Sequence, residues 1–243
     1  MTSMIVRNEF LHALAESDRA RLVESARSVE LPSRFTFYEP GQLPRAIWFL
    51  NSGMASELVR LADGHTMDGS PVGLRGFVGV PAILDAYSSF HHCVMQVPGE
   101  ALRVPVAVVK NLFDNSADFR GIAGRFIEAR YVQATQSAAC NLLHNMEQRL
   151  ARWLLITRAH TASDEFHISQ EYLSEMIGAN RSTVTQTLGA LERSGLIHLD
   201  RGAVKIASYQ GLCKVTCECH CVIEEAFSRI TACQPASRAA ELT

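Results

Sequence analysis

The sequence predicts an α+β chain: a β-rich N-terminal part, a long helix, and a C-terminal winged helix-turn-helix. Two observations carry that expectation. Seven of the eight prolines, Pro32 to Pro105, fall in the first 105 residues, and the next is Pro235. Proline breaks helix interiors and is tolerated at turns and strand edges, so the first part reads as short strands and the second as mostly helix. The second observation is the segment 167–206. There two short amphipathic stretches meet at Gly178 and run into an alternating apolar segment around a glycine turn.

Along the chain, an amphipathic helix is expected at about residues 8–27, with Leu11, Leu14, Leu22 and Val23 inward. The turn signals Glu39-Pro40-Gly41, Asn51-Ser52-Gly53, Asp63-Gly64 and Pro98-Gly99 then bracket apolar runs such as Ala46–Leu50 and Val94–Val97. Many short strands at near-regular spacing suggest a sandwich, jelly roll or barrel. A helical stretch from about Asp118 to Arg158 follows. Its residues Phe119, Ile122, Phe126, Ala129, Cys140 and Leu143 read as a seam for a parallel dimer, interrupted by Gln133 and Gln136. The alternative is a helix packed on its own β domain. The expected division is 1–114, 115–144 for the dimerisation helix, 145–211 for the winged helix, and a Cys-rich tail at 212–243 whose end frays after about Thr231.

Composition excludes more than it selects. The chain has 243 residues, 47% hydrophobic, with a net charge of −2 and a mean hydropathy of +0.04, which is ordinary globular composition. No apolar run approaches the roughly 20 residues of a membrane span. The N-terminus is too broken by charge for a secretion signal, so a cytoplasmic protein without a membrane role is expected. Seven cysteines without framework spacing fit a reducing compartment. The sequence shows no HExxH, GxSxG or P-loop, and an enzyme is not expected. Gly73, Gly76 and Gly79 lack the Lys-Ser ending of a phosphate loop and read as turns.

The functional segment is 167–206. Ser169 is a good N-cap for a helix with Leu173 and Ile177 on its apolar face. Gly178 ends that helix, and Asn180 caps a second one whose buried stripe is Val184, Leu188 and Leu191. The opposite face offers Arg181, Ser182, Thr185 and Gln186, side chains able to bond phosphates or base edges. Ile197-His198-Leu199, the turn Asp200-Arg201-Gly202 and Val204-Lys205-Ile206 form a wing. In such a motif the N-terminal part of the second helix meets base edges in the major groove of double-stranded DNA. Net charge does not assist, because seven Lys/Arg face seven Asp/Glu between Asn145 and Gly211. The expected DNA contacts are Ser169, Gln170, Asn180, Arg181, Ser182, Thr183, Thr185 and Gln186.

These residues resemble the Crp/Fnr superfamily of regulators. The resemblance lies in Ile168-Ser169-Gln170-Glu171-Tyr172-Leu173, in Gly178-Ala179-Asn180-Arg181-Ser182-Thr183-Val184, and in Leu188, Leu191-Glu192 and Gly195-Leu196-Ile197. Glu147–Leu154 is similar to the helix that opens the family's DNA-binding domain. Pro40-Gly41, Phe49–Gly53 and Gly73 through Gly79 match the family's cyclic-nucleotide-binding-like β-roll more loosely. The resemblance implies an antiparallel N-terminal β-roll, a homodimer joined by the long helix, a palindromic site with half-sites about one helical turn apart, and contact with RNA polymerase. It places Arg181, Ser182 and Gln186 at base-reading positions, with Arg181 suited to guanine.

The same resemblance locates a vestigial ligand pocket at Arg75, Gly76, Phe77, His91 and His92. The family's ribose-binding glycine-glutamate pair corresponds to Arg75-Gly76, and its phosphate-binding arginine-serine to His91-His92-Cys93. Both key charges are replaced, so no cyclic-AMP dependence and no cofactor are expected, and the effector is unknown. Cys213, Cys217, Cys219 and Cys221 are candidate redox or metal residues, although their gaps lack the usual Cys-x-x-Cys. On one continuous helix Cys213, Cys217 and Cys221 would share a face, with Cys219 turned away. Two alternatives stay open: a thiol- or metal-responsive sensor, and a protein-interaction module that does not bind DNA.

Overall fold

The computed structural model describes residues 5–64 and 66–231. The tail beyond Thr231, expected to fray, lies outside them. The N-terminal helix expected at 8–27 is two helices, α1 (Glu9–Ala13) and α2 (Glu16–Glu24). Leu14 leaves helical geometry with ψ 152°, and Arg27–Leu31 is already strand β1.

The strands that follow are β2 (Thr36–Tyr38), β3 (Ala46–Leu50), β4 (Met54–Arg60) and β5 (Thr66–Val72). After the short α3 (Val80–Ile83) come β6 (His92–Val97) and β7 (Gly99–Pro105). They form two antiparallel sheets, ordered β1-β7-β3 and β2-β6-β4-β5. Register decides which side chains meet. Pairing of β4 with β5 sets Glu57 opposite Ser70, and pairing of β4 with β6 sets Glu57 opposite Cys93.

Helix α4 (Val106–Asn115) leads into α5 (Ala117–Leu143), whose first turn is capped by the Ser116 side chain accepting from Phe119 N–H. The long helix does not run on to Arg158. It stops at His144, and α6 (Met146–Thr161) starts anew behind a capping box in which Asn145 and Gln148 satisfy each other's backbone N–H groups.

The expected dimer seam is corrected by the packing. Phe119, Ile122, Phe126, Ala129 and Cys140 are all buried within their own chain, the first four in the core of the β domain. Phe10, Phe77 and Phe126 meet there with ring centroids 4.8–5.8 Å apart. Gly76 is obligatory beneath them, because a Cβ at that position would sit 2.0 Å from the Phe126 ring. Packing on the chain's own domain therefore claimed the large apolar face of α5. The face left in solvent carries Gly121, Gly124, Glu128, Tyr131, Thr135, Ala138 and Leu142.

The C-terminal unit has its own core. In it α6, α7 (Gln170–Ile177), α8 (Arg181–Arg193), the sheet β8 (Glu165–His167)–β10 (Ala203–Ile206)–β9 (Ile197–Asp200), and α9 (Tyr209–Val215) bury Leu150, Leu154, Leu173, Leu188, Ile197 and Leu212. Helix α10 (Cys219–Thr231) is no loose tail. It turns back to the first domain, where Ile223, Phe227 and Ile230 join the core and Glu224 receives two hydrogen bonds from Arg75 at 2.9 and 3.0 Å. No described helix is long and apolar enough to cross a membrane.

Candidate nucleic-acid interface

The helix-turn-helix is built by local chemistry. Ser169 Oγ accepts from Tyr172 N–H at 3.1 Å and starts α7. Gly178 ends it in left-handed geometry, φ 67° and ψ 49°, with its N–H returning to Glu175 O. That conformation is cheap for glycine and strained for other residues. Asn180 stands at the N-cap of α8 with extended backbone, but its side chain makes no capping hydrogen bond, unlike the sequence expectation. The Asn180 side chain is exposed instead.

Val184, Leu188 and Leu191 are fully buried on the rear of α8. That locks its rotation, so Arg181, Ser182, Thr183, Thr185 and Gln186 face solvent together. Thr185 Oγ1 lies 2.8 Å from Gln170 Oε1, a bond that joins the first turns of the two helices and fixes their angle. The first turn of α8 holds no acid, so its free N–H groups and the positive end of the helix dipole are presented unopposed. Glu192 matters structurally in a way composition could not show: its Oε1 accepts from Leu199 N–H at 2.8 Å and anchors the wing to α8.

Charge placement sharpens the neutral tally. Arg149 turns inward to Ile177 O at 2.6 Å, and Arg152 is buried against Ser137 and Cys140. Arg158 pairs with Asp164 at 2.5 Å and Lys205 more loosely with Glu165 at 4.0 Å. Arg181, Arg193 and the wing-tip Arg201 stand in solvent. The exposed arginines of this unit thus lie on α8 and the wing, with Lys214 of α9 also in solvent.

The residues expected as a vestigial pocket do not converge. Arg75 is committed to Glu224 and lies over the Phe227 ring, while Phe77 is core. His91 and His92 sit elsewhere, with His91 Nδ1 3.9 Å from Glu57 and His92 Nε2 3.5 Å from Glu39. His91 does line a groove between β4–β5 and α5, in company with Glu57, Ser70, Arg130 and Tyr131. Sequence reasoning missed Glu57, Arg130 and Tyr38 there. Arg130 donates to Glu57 Oε2 at 2.8 Å and to Ser70 Oγ at 3.1 Å, and Tyr38 Oη donates to Glu57 Oε1 at 2.5 Å. Burial alone would raise the Glu57 carboxyl, but the Arg130 charge and these hydrogen bonds pull it below the usual range. Burial, with the carboxylate beside it, pushes Tyr38 up. No local sequence signal marks this group, because strand register and the packing of α5 bring its members together from distant positions.

The cysteine expectation is also corrected. Helix α9 ends at Val215 and α10 begins at Cys219, so no single helix face carries Cys213, Cys217 and Cys221. Cys221 is exposed and Cys213 half-buried, whereas Cys217 and Cys219 are buried together against Cys140 at the end of α5.

Comparison with known proteins agrees with this architecture. Residues 148–215 match the Crp-like helix-turn-helix domain. The Global nitrogen regulator of Nostoc sp. strain PCC 7120 is 24% identical over 181 residues, covering 70% of this chain and 81% of that protein. The Synechocystis protein of the same name is also 24% identical, with 70% and 80% covered. Among solved structures, a CRP-family transcriptional regulator from Thermus thermophilus superposes with a TM-score of 0.63 at 18% identity, covering 76% of this chain and 95% of that one. A Crp/Fnr-family regulator from Eubacterium rectale gives 0.61 at 13% identity, with 84% and 95% covered. At these identities the structures speak for the fold, and the helix-turn-helix match and the curated relatives speak for the function. By their names these relatives are regulators, the two solved structures transcriptional ones. With its packed recognition helix and wing, this chain is a DNA-binding transcription regulator that carries a Crp-like helix-turn-helix domain and has the fold of Crp/Fnr regulators.

Proposed function

We propose that the chain reads a palindromic DNA site as a homodimer, and does so without cyclic AMP. The carrying observation is α8: its rear is locked in the core, and Arg181, Ser182 and Gln186 project from its first turns with no acid beside them. Arg181 pairs with a guanine edge, and Gln186 favours adenine. Ser169, Gln170, Asn180, Thr183 and Thr185 hold phosphates and orientation.

The exposed face of α5 supports the dimer. Gly121, Gly124, Glu128, Tyr131, Thr135, Ala138 and Leu142 recur at alternating steps of three and four, with Tyr131 69% and Leu142 83% exposed. That spacing suits a two-helix seam, and its small residues allow close approach. The groove beneath supports independence from cyclic AMP, because Arg130 is already neutralised by Glu57. Family likeness supports contact with RNA polymerase, and the free thiols suit a reducing cytoplasm.

Selection from random duplexes with the full-length, reduced protein and no added nucleotide tests this. The expected result is a palindrome with half-sites about one turn apart. A dimer that is folded yet enriches nothing, with or without cyclic AMP, would refute the reading.

A further inference from the structure

Cys140, His144, Cys217 and Cys219 bring one donor atom each to a single point, all within 4.8 Å of one another. We propose that they hold one tetrahedral divalent ion of the zinc class per chain. Cys140 Sγ and Cys217 Sγ are 3.5 Å apart, and so are Cys219 Sγ and His144 Nδ1. Ligands about 2.3 Å from a tetrahedral zinc stand about 3.8 Å from each other, so the four donors are already spaced for one ion. A polynuclear iron–sulfur core would have to force the sulfurs much farther apart.

Three buried thiols alone would be ordinary packing. The histidine and the surroundings separate the two cases. His144 turns Nδ1 to the thiols while its Nε2 lies 3.3 Å from Glu218 Oε1. A carboxylate on the far nitrogen of a ligating histidine fixes its tautomer and is the usual outer partner of such a ligand. Arg152 Nε donates to Cys140 Sγ at 3.1 Å, and Gln136 Nε2 to Cys219 Sγ at 3.3 Å. Three thiolates and a neutral imidazole around a dication leave one net negative charge. The buried Arg152 guanidinium faces that charge.

The placement gives the ion a role. Cys140 and His144 immediately precede α6, and Cys217 and Cys219 immediately follow α9. The DNA-binding unit therefore enters and leaves its domain at the same four ligands. An ion there clamps both ends of that unit to the end of α5 and sets the direction in which α8 is presented.

The test is titration of the full-length, reduced, chelator-stripped protein with Co²⁺, followed by Zn²⁺. Expected are the visible bands of a tetrahedral, thiolate-rich cobalt site, saturating at one equivalent per chain and abolished one-for-one by zinc. Cys140→Ser, Cys217→Ser, Cys219→Ser and His144→Ala should each weaken binding at least tenfold, while Cys213→Ser and Cys221→Ser leave it unchanged. Circular dichroism identifies any variant that fails to fold, and the wild-type spectrum decides the matter without it. Folded wild type lacking tetrahedral cobalt bands overturns the proposal. So does anaerobically purified protein carrying stoichiometric iron and sulfide, or full cobalt affinity in a folded Cys217→Ser variant.

Discussion

Arg130 Nη2 lies 2.8 Å from Glu57 Oε2, and both side chains are largely withdrawn from water, at 9% and 13% exposure. Strand register created the pair: Glu57 faces Ser70 across β4–β5, and Arg130 of α5 reaches both. Ser70 passes the contact to Gln133, and Gln133 to His160 of α6 at 3.3 Å. A continuous polar chain thus runs from the β domain through α5 into the DNA-binding unit. Removing one charge leaves its partner buried and unpaired. Glu57→Gln should cost about 3–5 kcal/mol in chemical denaturation, and a Glu57→Gln, Arg130→Met double variant should recover part of it. Because Glu57 is held below its unfolded acidity, the pair's contribution is complete above the usual glutamate range and is lost as pH falls through the depressed value. A single variant as stable as wild type at pH 7 would show that the pair is idle.

The same groove predicts the response to nucleotide. Among the described residues that line it, the permanently charged cation is Arg130, and Glu57 already claims it. A cyclic phosphate would have to displace a carboxylate that also accepts from Tyr38. Calorimetry with cyclic AMP at micromolar protein should therefore give no saturable heat. A micromolar dissociation constant would contradict it.

Asp68 carries the opposite sign. The residue is only part-buried, but its Oδ1 is sealed from water near Trp153 of the DNA-binding unit. Burial pushes its carboxyl up to about 6, with Ser56, Trp153 and Gln96 and the charge of Arg152 offsetting part of the cost. A carboxyl raised on folding stabilises fully only while protonated, below its unfolded value, and that contribution is lost as pH rises toward 6. Asp68→Asn escapes the loss. Relative to wild type it should gain about 1–3 kcal/mol above pH 6, and the advantage should close as pH falls toward 4. Thermal melts across that range check this. A gap that widens on acidification would reverse the sign and refute the account.

Why some of this was legible and some was not follows from where each signal resides. The helix-turn-helix is written locally: Ser169 at a cap, Gly178 where a positive φ is required, and Val184, Leu188 and Leu191 at helical spacing. The wing is equally local, fixed by Gly202 between alternating residues. The orientation of α5 is not local. Phe119, Phe126 and Ala129 have a spacing that suits either a partner helix or the chain's own sheet, and only tertiary packing chose the sheet. The cysteine cluster failed for a related reason. Counting along one helix cannot foresee the break at residues 216–218, nor that Cys140, 77 residues away, comes within 3.5 Å of Cys217.

The exposed stripe of α5 makes a prediction about assembly. An aspartate at Tyr131 would place two charges in the seam of the proposed dimer, whereas the monomer leaves that side chain 69% in solvent. Tyr131→Asp should therefore shift sedimentation toward monomer and lower DNA affinity more than tenfold while melting stays within a few degrees. An unchanged dimer would place the interface elsewhere.

DNA reading itself turns on a contrast between two faces of one helix. Arg181 is exposed and contributes little to the core, so Arg181→Ala should leave the melting temperature unchanged. It should weaken binding to the selected site by about 1–3 kcal/mol and relax preference at one base pair of each half-site. Leu188→Ala, on the fully buried rear, should instead cost about 2–5 kcal/mol of stability and lower affinity for all sequences alike. Arg181, Arg193 and Arg201 are the exposed arginines of α8 and the wing, or six charges per dimer. The salt dependence of log affinity should then have a slope no steeper than about −5. Competition between selected and scrambled duplexes at two salt concentrations measures both quantities. If Arg181→Ala kept full discrimination, α8 would be presenting a different set of residues to the bases.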